Sequence, residues 1–217
     1  MTEHAKVVQA FERYSQKPFG GHPNPFWYMY KKMRSDGWLL QLANPAGKTV
    51  LNVGCSYPID ELTYGPLVRK WVAVDPGAET VRLAQAEYEA MRDRIPEDRV
   101  ESRVMDGMDL AYPDASFDLC VSSSAIEHVP AQASRQQIIN EMARVARETV
   151  IITVADIDDD QYRAFTEGPE AAEVFGDDYH CHLYTKKELA NEMEAAGLQI
   201  LEYAQYGYRI GYLARKP

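Results

Sequence analysis

Three features of the chain predict an α/β fold built on a mainly parallel sheet. An apolar, β-branched run, Thr49–Val53, follows a turn signal at Asn44, Pro45 and Gly47 and ends in Gly54, the pattern of a buried strand feeding a tight turn. Further strand-like runs come after it, separated by segments of helical spacing, and this alternation places parallel strands side by side with crossover helices between them. Near the end, 198–206 and 208–214 are two strand-like runs joined at Gly207, which predicts a closing antiparallel hairpin.

The 217 residues, 46% of them hydrophobic, suffice for one substantial core, and a single domain over 1–217 is expected. The formal net charge is -10, with acidic residues scattered along the chain and no Lys/Arg block, which argues against a nucleic-acid partner. Cys55, Cys120 and Cys181 are odd in number and far apart, as expected of reduced thiols in a cytosolic protein. The opening segment MTEHAKVVQAFERY is charged and amphipathic, without the apolar centre of a signal peptide, and no run reaches the length of a membrane span. A cytoplasmic location without a membrane partner is therefore expected, either as a monomer or as a homodimer.

In order along the chain, 3–14 has helical spacing, with Val7, Val8 and Phe11 on one face. A loop rich in Pro and Gly follows at 17–25, and then an aromatic-dense helical stretch, 26–42, interrupted near Asp36 and Gly37. Phe26, Trp27, Tyr28, Tyr30 and Trp38 either pack this segment onto the sheet or form a lid whose rings close over a substrate. Residues 1–44 thus read as a helical cap, 45–155 as the core, and 156–217 as a specificity segment with the closing strands.

Ligands of open α/β sheets bind at the carboxyl ends of the strands, which directs attention to the loop after Val53. A dinucleotide needs three glycines there, whereas Gly54, Cys55, Ser56, Tyr57, Pro58 and Ile59 supply only the first, and Tyr57 and Pro58 obstruct a phosphate cradle. A nucleoside with an amino-acid tail and no phosphates needs one close approach, and S-adenosylmethionine is such a ligand. The second strand, 71–74, ends at Asp75, far enough from Asn52 for one crossover helix. The Asp75 carboxylate either accepts both ribose hydroxyls of an adenosine or caps the following helix. That helix is expected over 79–94, with Val81, Ala84, Tyr88 and Met91 inward. A third strand, Val100–Val104, leads into Asp106, Gly107 and Met108, where Asp106 is placed to accept a hydrogen bond from an exocyclic amine such as adenine N6.

The segments VLNVGCS, VAVDPG, MDGMDLAYPDASFDLCVSSSAIEHV and EMARV, in this order, resemble the class I S-adenosylmethionine-dependent methyltransferases, in their small-molecule branch. The resemblance covers 49–155 and continues more weakly in HLYTKKELANEMEAAGLQIL. It implies a Rossmann-like, seven-stranded, mainly parallel sheet with helices on both faces. It also implies S-adenosyl-L-methionine as cofactor, S-adenosyl-L-homocysteine as product, and transfer to an O or N of a small-molecule acceptor. Carried to these positions, it places Gly54 and Ser56 at the methionine portion, Asp75 at the ribose, and Asp106 with the Met108 backbone at adenine; Asn52, whose amide oxygen can orient an ammonium group, and Cys55, Pro76 and Gly107 are further expected cofactor contacts. Ser123 and the residues to Ile126 would flank the methionine moiety from the other side. The family usually has an acid where Asn52 stands, and glycines at Ser56 and Pro58; Ala146, Arg147 and Glu148 replace its Pro-Gly-Gly turn, which implies a shortened connection.

Beyond the fourth strand, 134–147 reads as a helix with Ile138, Ile139, Met142 and Val145 inward, and 150–154 as a fifth strand. The stretch 156–184 has little periodicity and is expected to carry substrate specificity, and 183–196 leads into a helix stopped by Gly197. His128 is the first candidate for a general base, with His180 and His182 next; alternatively Glu127 and His128 cap or orient their loop. His180 and His182 point the same way in an extended segment, but two nitrogens make an incomplete site and no metal is expected. The acidic cluster at 156–160 is either a solvated loop or an attractor of a cationic amine. Trp27, Tyr28, Tyr30, His128, Tyr179, His180 and Tyr208 are the expected substrate contacts, suited to an aromatic or amine-bearing acceptor. Two other functions stay open, a non-catalytic S-adenosylmethionine-binding relative and a nucleic-acid base methyltransferase. The latter would carry a Pro-Pro-aromatic motif where SSSAIEH stands.

Overall fold

The structure, a computed structural model, describes Ala5, Val8, Gln9 and residues 37–156, 182–207 and 209–217. Seven strands form one sheet: β1 (Thr49–Val53), β2 (Lys70–Asp75), β3 (Val100–Val104), β4 (Phe117–Ser123), β5 (Ala146–Ala155), β6 (Gln199–Tyr206) and β7 (Arg209–Arg215), in the order β3-β2-β1-β4-β5-β7-β6. The first five run parallel to one another, and β7 runs antiparallel between β5 and β6. The described helices are α1 (37–43), α2 (Ile59–Tyr64), α3 (Ala78–Ala90), α4 (Gln132–Val145) and α5 (Lys186–Ala195).

Because successive side chains of a strand face opposite ways, the apolar strands supply two cores. Leu51, Val53, Val72 and Val74 pack on one face with Ile138, Ile139 and Met142 of α4 and Leu189 and Met193 of α5. Val50, Trp71, Ala73, Leu119 and Val121 pack on the other with Leu39 and Leu40 of α1 and Ala84 and Tyr88 of α3. The chain winds outward from β1 through β2 to β3, then returns to the other side of β1 as β4. This reversal opens a crevice at the carboxyl ends of β1 and β4.

The strands follow the boundaries read from the sequence, with instructive differences at the helices. The helix after β2 stops at Ala90 instead of 94, and the chain continues in turns that bury Ile95 before Pro96. The helix expected over 134–147 is Gln132–Val145, because Ala146 is already extended (φ -70°, ψ 138°) and pairs with Phe117. The connection expected to be short is thus no turn at all, and β5 begins where α4 ends. Helix α5 starts one residue after Thr185, whose hydroxyl accepts the Glu188 amide at 3.1 Å, a Thr-x-x-Glu start. The helix expected over 3–14 falls largely outside the described residues, as do 26–36, most of the specificity segment, Cys181 and Tyr208.

At the amino ends of the strands, opposite the crevice, Asp118 ties β4 to β1. Its Oδ2 accepts the backbone N–H and the hydroxyl of Thr49, both at 2.8 Å, and Arg69 at 3.1 Å, while Arg147 donates to Oδ1. Burial alone would raise the Asp118 pKa, but the Thr49 hydrogen bonds and the two guanidinium charges outweigh it and hold the carboxyl below its ordinary value. A depressed carboxylate stabilises the fold above its unfolded pKa, and that contribution is lost as pH falls through the folded value. Asp118→Asn is therefore expected to destabilise the protein by about 2 kcal/mol at neutral pH. In urea melts the gap from wild type should close as pH drops below about 4; a gap independent of pH would show that charge plays no part.

Candidate functional site

The crevice forms a cavity over the carboxyl ends of β1 to β4. Its position depends on Gly54, which has φ +80° and lies so close to the loop after β4 that an added Cβ would stand 2.3 Å from the Ala125 Cβ. A side chain here would part the two loops. Gly107 makes a second close approach, since its Cβ would meet Val53 Cγ1 at 2.9 Å. The Gly54 and Cys55 amides both donate to the Val74 carbonyl, at 2.8 and 3.3 Å, fixing the loop against β2.

Two carboxylates line one end. Asp75, buried at the end of β2, accepts the Gly77 amide on Oδ1 at 2.9 Å and the Ser56 amide on Oδ2 at 3.3 Å. It thereby holds Ser56 in a left-handed conformation, φ 45°. The cap position of α3 belongs to Gly77, with no side-chain cap bond. A carboxylate can accept several hydrogen bonds at once. Asp106 Oδ1 accepts the Met108 amide at 2.9 Å, which closes the turn that brings Gly107 to the cavity wall. At the other end stand Ser122, Ser124 and His128, and the remaining wall is apolar, including Val53, Val74, Met105, Ile126, Val129 and Ile138.

Of the cofactor residues read from the sequence, Gly54, Ser56, Asp75, Pro76, Asp106 and Gly107 line this cavity, and so does His128. Asn52, Cys55, Met108 and Ser123 are not among its lining residues. Asn52 faces the other side of the sheet, where its Nδ2 donates to Glu61 Oε1 of α2 at 2.6 Å. Cys55 packs into the core beside α3. Ser123 shares its face with Thr153, 3.5 Å away, and Arg209, 3.4 Å away. The expectation missed Ser122, although strand alternation could have found it: Ser122 and Cys120 fall on one face, Ser123 on the other. Trp27, Tyr28, Tyr30, Tyr179, His180 and Tyr208 lie outside the described residues.

The loop carrying His128 is buttressed from behind. His128 ends a short helical turn, Ile126–His128, and is buried. The buried Arg135 of α4 donates to the carbonyls of Val129 and Pro130 at 3.0 and 2.9 Å and stacks over the Tyr184 ring at 5.5 Å. Tyr184 in turn donates to Glu192 at 2.7 Å; burial first and this bond second push its hydroxyl pKa well up. His182 is part of the same brace, its amide donating to the Glu127 carbonyl at 2.9 Å, its ring edge-on to Tyr184 and its Nε2 2.7 Å from Glu188.

Residues 51–154, which span the glycine loop, both carboxylates and the His128 loop, match the family model described as a methyltransferase domain. That stretch is a methyltransferase domain of the class I type. The methyltransferase GfsG of Streptomyces halstedii is 34% identical over 167 residues, which cover 72% of this chain and 55% of that protein. The 27-O-demethylrifamycin SV methyltransferase of Amycolatopsis mediterranei is 28% identical over 166 residues, covering 70% and 56%. The chain thus spans about half the length of the curated relatives it matches. Among solved structures, a SAM dependent methyltransferase from Aquifex aeolicus superposes with a TM-score of 0.66 at 19% identity, covering 86% of this chain and 93% of that one. That likeness establishes the shared fold.

S-adenosylmethionine is the cofactor of this family, and the methyltransferase site here fits it on its own terms. The space a Cβ would fill at Gly54 is kept open, two carboxylates line one end, as ribose and adenine donors require, and no Lys or Arg is among the described lining residues to invite a phosphate. The Gly54 constraint gives a prediction. Gly54→Ala should cost about 2–4 kcal/mol in chemical denaturation, from positive φ and overpacking together. Gly47→Ala, with φ +71° but nothing within 4 Å of the new Cβ, should cost only about 1 kcal/mol. Equal losses would mean that contact with Ala125 is unimportant.

Proposed function

We propose that the protein moves a methyl group from S-adenosylmethionine to an oxygen or nitrogen of a small-molecule acceptor by in-line displacement. The observation that carries the reading is the row of groups across the sheet edge: Asp106 after β3, Asp75 at the end of β2, Gly54 after β1, and His128 in the loop after β4. In this reading Asp75 accepts hydrogen bonds from the ribose hydroxyls and Asp106 from the adenine amine. The Gly54 turn lets the chain between them cross β1 without obstruction. When bound, the cofactor supplies a methyl group on a sulfonium already activated for displacement. The chain's task is then to exclude water and align the acceptor, and the apolar wall of Ile126, Val129 and Ile138 suits the first part of that task.

His128 is the proposed general base, taking a proton from the acceptor atom; it is the one imidazole among the described lining residues. Trp27, Tyr28, Tyr30, Tyr179, His180 and Tyr208 are proposed to complete the acceptor pocket, for an aromatic or amine-bearing compound. A small-molecule acceptor is supported by the relative whose name specifies a demethylrifamycin, and by the chain's net charge of -10, which disfavours a nucleic acid.

Calorimetric titration with S-adenosylmethionine and S-adenosylhomocysteine, with NADH as control, tests the cofactor part. Both adenosyl ligands should bind and NADH should not, and Asp75→Asn should weaken binding about tenfold or more, the value of a hydrogen bond to a charged group. Preference for NADH would overturn the assignment. For the chemistry, His128→Ala should slow transfer of a labelled methyl to a proton-bearing acceptor by about a hundredfold or more while leaving S-adenosylhomocysteine affinity within about threefold. An unchanged rate would remove His128 from the mechanism.

A further inference from the structure

We infer that Arg135 is a positioning residue for His128: from the first turn of α4 it fixes the loop on which the imidazole stands. The inference rests on the general-base reading above and goes beyond it by naming what places that base.

His128 closes the turn Ile126–His128, and Val129, the next residue, is already extended (φ -96°, ψ 112°). Arg135 Nη1 donates to the carbonyls of both residues that follow His128, Val129 at 3.0 Å and Pro130 at 2.9 Å. Two successive carbonyls held by one nitrogen fix the peptide between them, and Val129 stands beside His128 in the cavity wall. On the other side of the imidazole, the Glu127 carbonyl accepts the His182 amide at 2.9 Å. His128 is thus bracketed, and of these two brackets Arg135 is the one that a substitution can remove.

Stability alone does not call for a cation at this place. Arg135 is 3% exposed, and its Nη2 stands 4.0 Å from Glu192 Oε1, beyond hydrogen-bond distance. Exchanging a buried ion pair for apolar side chains of similar volume is often neutral or stabilising. What an apolar side chain lacks is a donor for two carbonyls. The guanidinium is itself held in place: it lies over the Tyr184 ring at 5.5 Å, and Tyr184 is fixed by its 2.7 Å bond to Glu192. A general base must stand within hydrogen-bond reach of the proton it takes, and a displacement of about 1 Å can lower a rate about a hundredfold. Arg135 is not among the cavity-lining residues, so it acts on the reaction through that distance and not by touching the reacting atoms.

Arg135→Met alone would strand the Glu192 carboxylate in the interior, so the test combines it with Glu192→Gln and uses Glu192→Gln alone as control. The imidazole nitrogen NMR signals of His128, assigned by their loss in His128→Ala, should shift in the double variant and stay in place in the control. S-adenosylhomocysteine should bind the double variant within about threefold of wild type, which a general loosening of the site would not allow. At about pH 8.5, kcat for labelled methyl transfer to phenol, which keeps its proton there as tyrosine does, should fall about tenfold or more with KM within about threefold. Transfer to para-nitrophenol, already ionised and in no need of a base, should change by less than about threefold. Unmoved His128 signals in the double variant would overturn the inference whether or not either phenol is turned over, and so would equal losses on the two phenols. A His128→Ala protein that keeps the wild-type rate on phenol would instead overturn the general-base reading on which the inference rests.

Discussion

The approach of Gly54 to Ala125 is the constraint on which the site depends. Two turns leaving adjacent parallel strands meet with no room for a side chain between them, and this is possible because β1 and β4 are neighbours although they are not consecutive in the chain. The reversal of winding at β1 creates the crevice, and the bare glycine keeps it open. Asp75 then does double service: it holds the Ser56 amide and the Gly77 amide, so the carboxylate assigned to the ribose also sets the shape of the loop beside it. Under that assignment, loop geometry and ligand recognition share one side chain.

On the far side of the cavity the same economy recurs in a different form. The His128 loop is held by its own turn bonds, His128 amide to Ala125 and Val129 amide to Ile126, and Arg135 adds to them from α4 by binding the carbonyls of Val129 and Pro130. Arg135 is itself buried against Tyr184, with the Glu192 carboxylate 4.0 Å away. A buried cation of this kind is tolerated because its donors meet carbonyls, an aromatic face and a carboxylate together. The segment returning at His182 and Tyr184 is thereby tied to the loop that carries the proposed base.

Much of the fold was legible in the sequence because β-branched apolar runs such as Thr49–Val53 have few other ways to be buried. The positions of Asp75 and Asp106 were legible for the same reason, since each follows the end of a strand that the pattern defines. What escaped was side-chain direction. At the end of β4 three serines in succession carry no apolar signal to mark the inward face, and Ser122 and Ser123 were told apart only by the strand's register. Asn52 could be read as a ligand-facing group until α2 folded back to bring Glu61 against it, a contact set by tertiary packing. Helix ends drifted where no cap marked them, as at Ala131 and Met91, whereas Thr185 with Glu188 gave α5 a readable start.

The central claim is that one extended ligand lies across the carboxyl ends of β3, β2, β1 and β4. A crystal structure of the protein with S-adenosylhomocysteine tests it most directly. The account predicts the adenine at Asp106, the ribose hydroxyls within hydrogen-bond distance of Asp75, and the amino-acid tail passing over Gly54 to β4. Ligand density elsewhere, or in this crevice with Asp75 out of contact with the ribose, would contradict it.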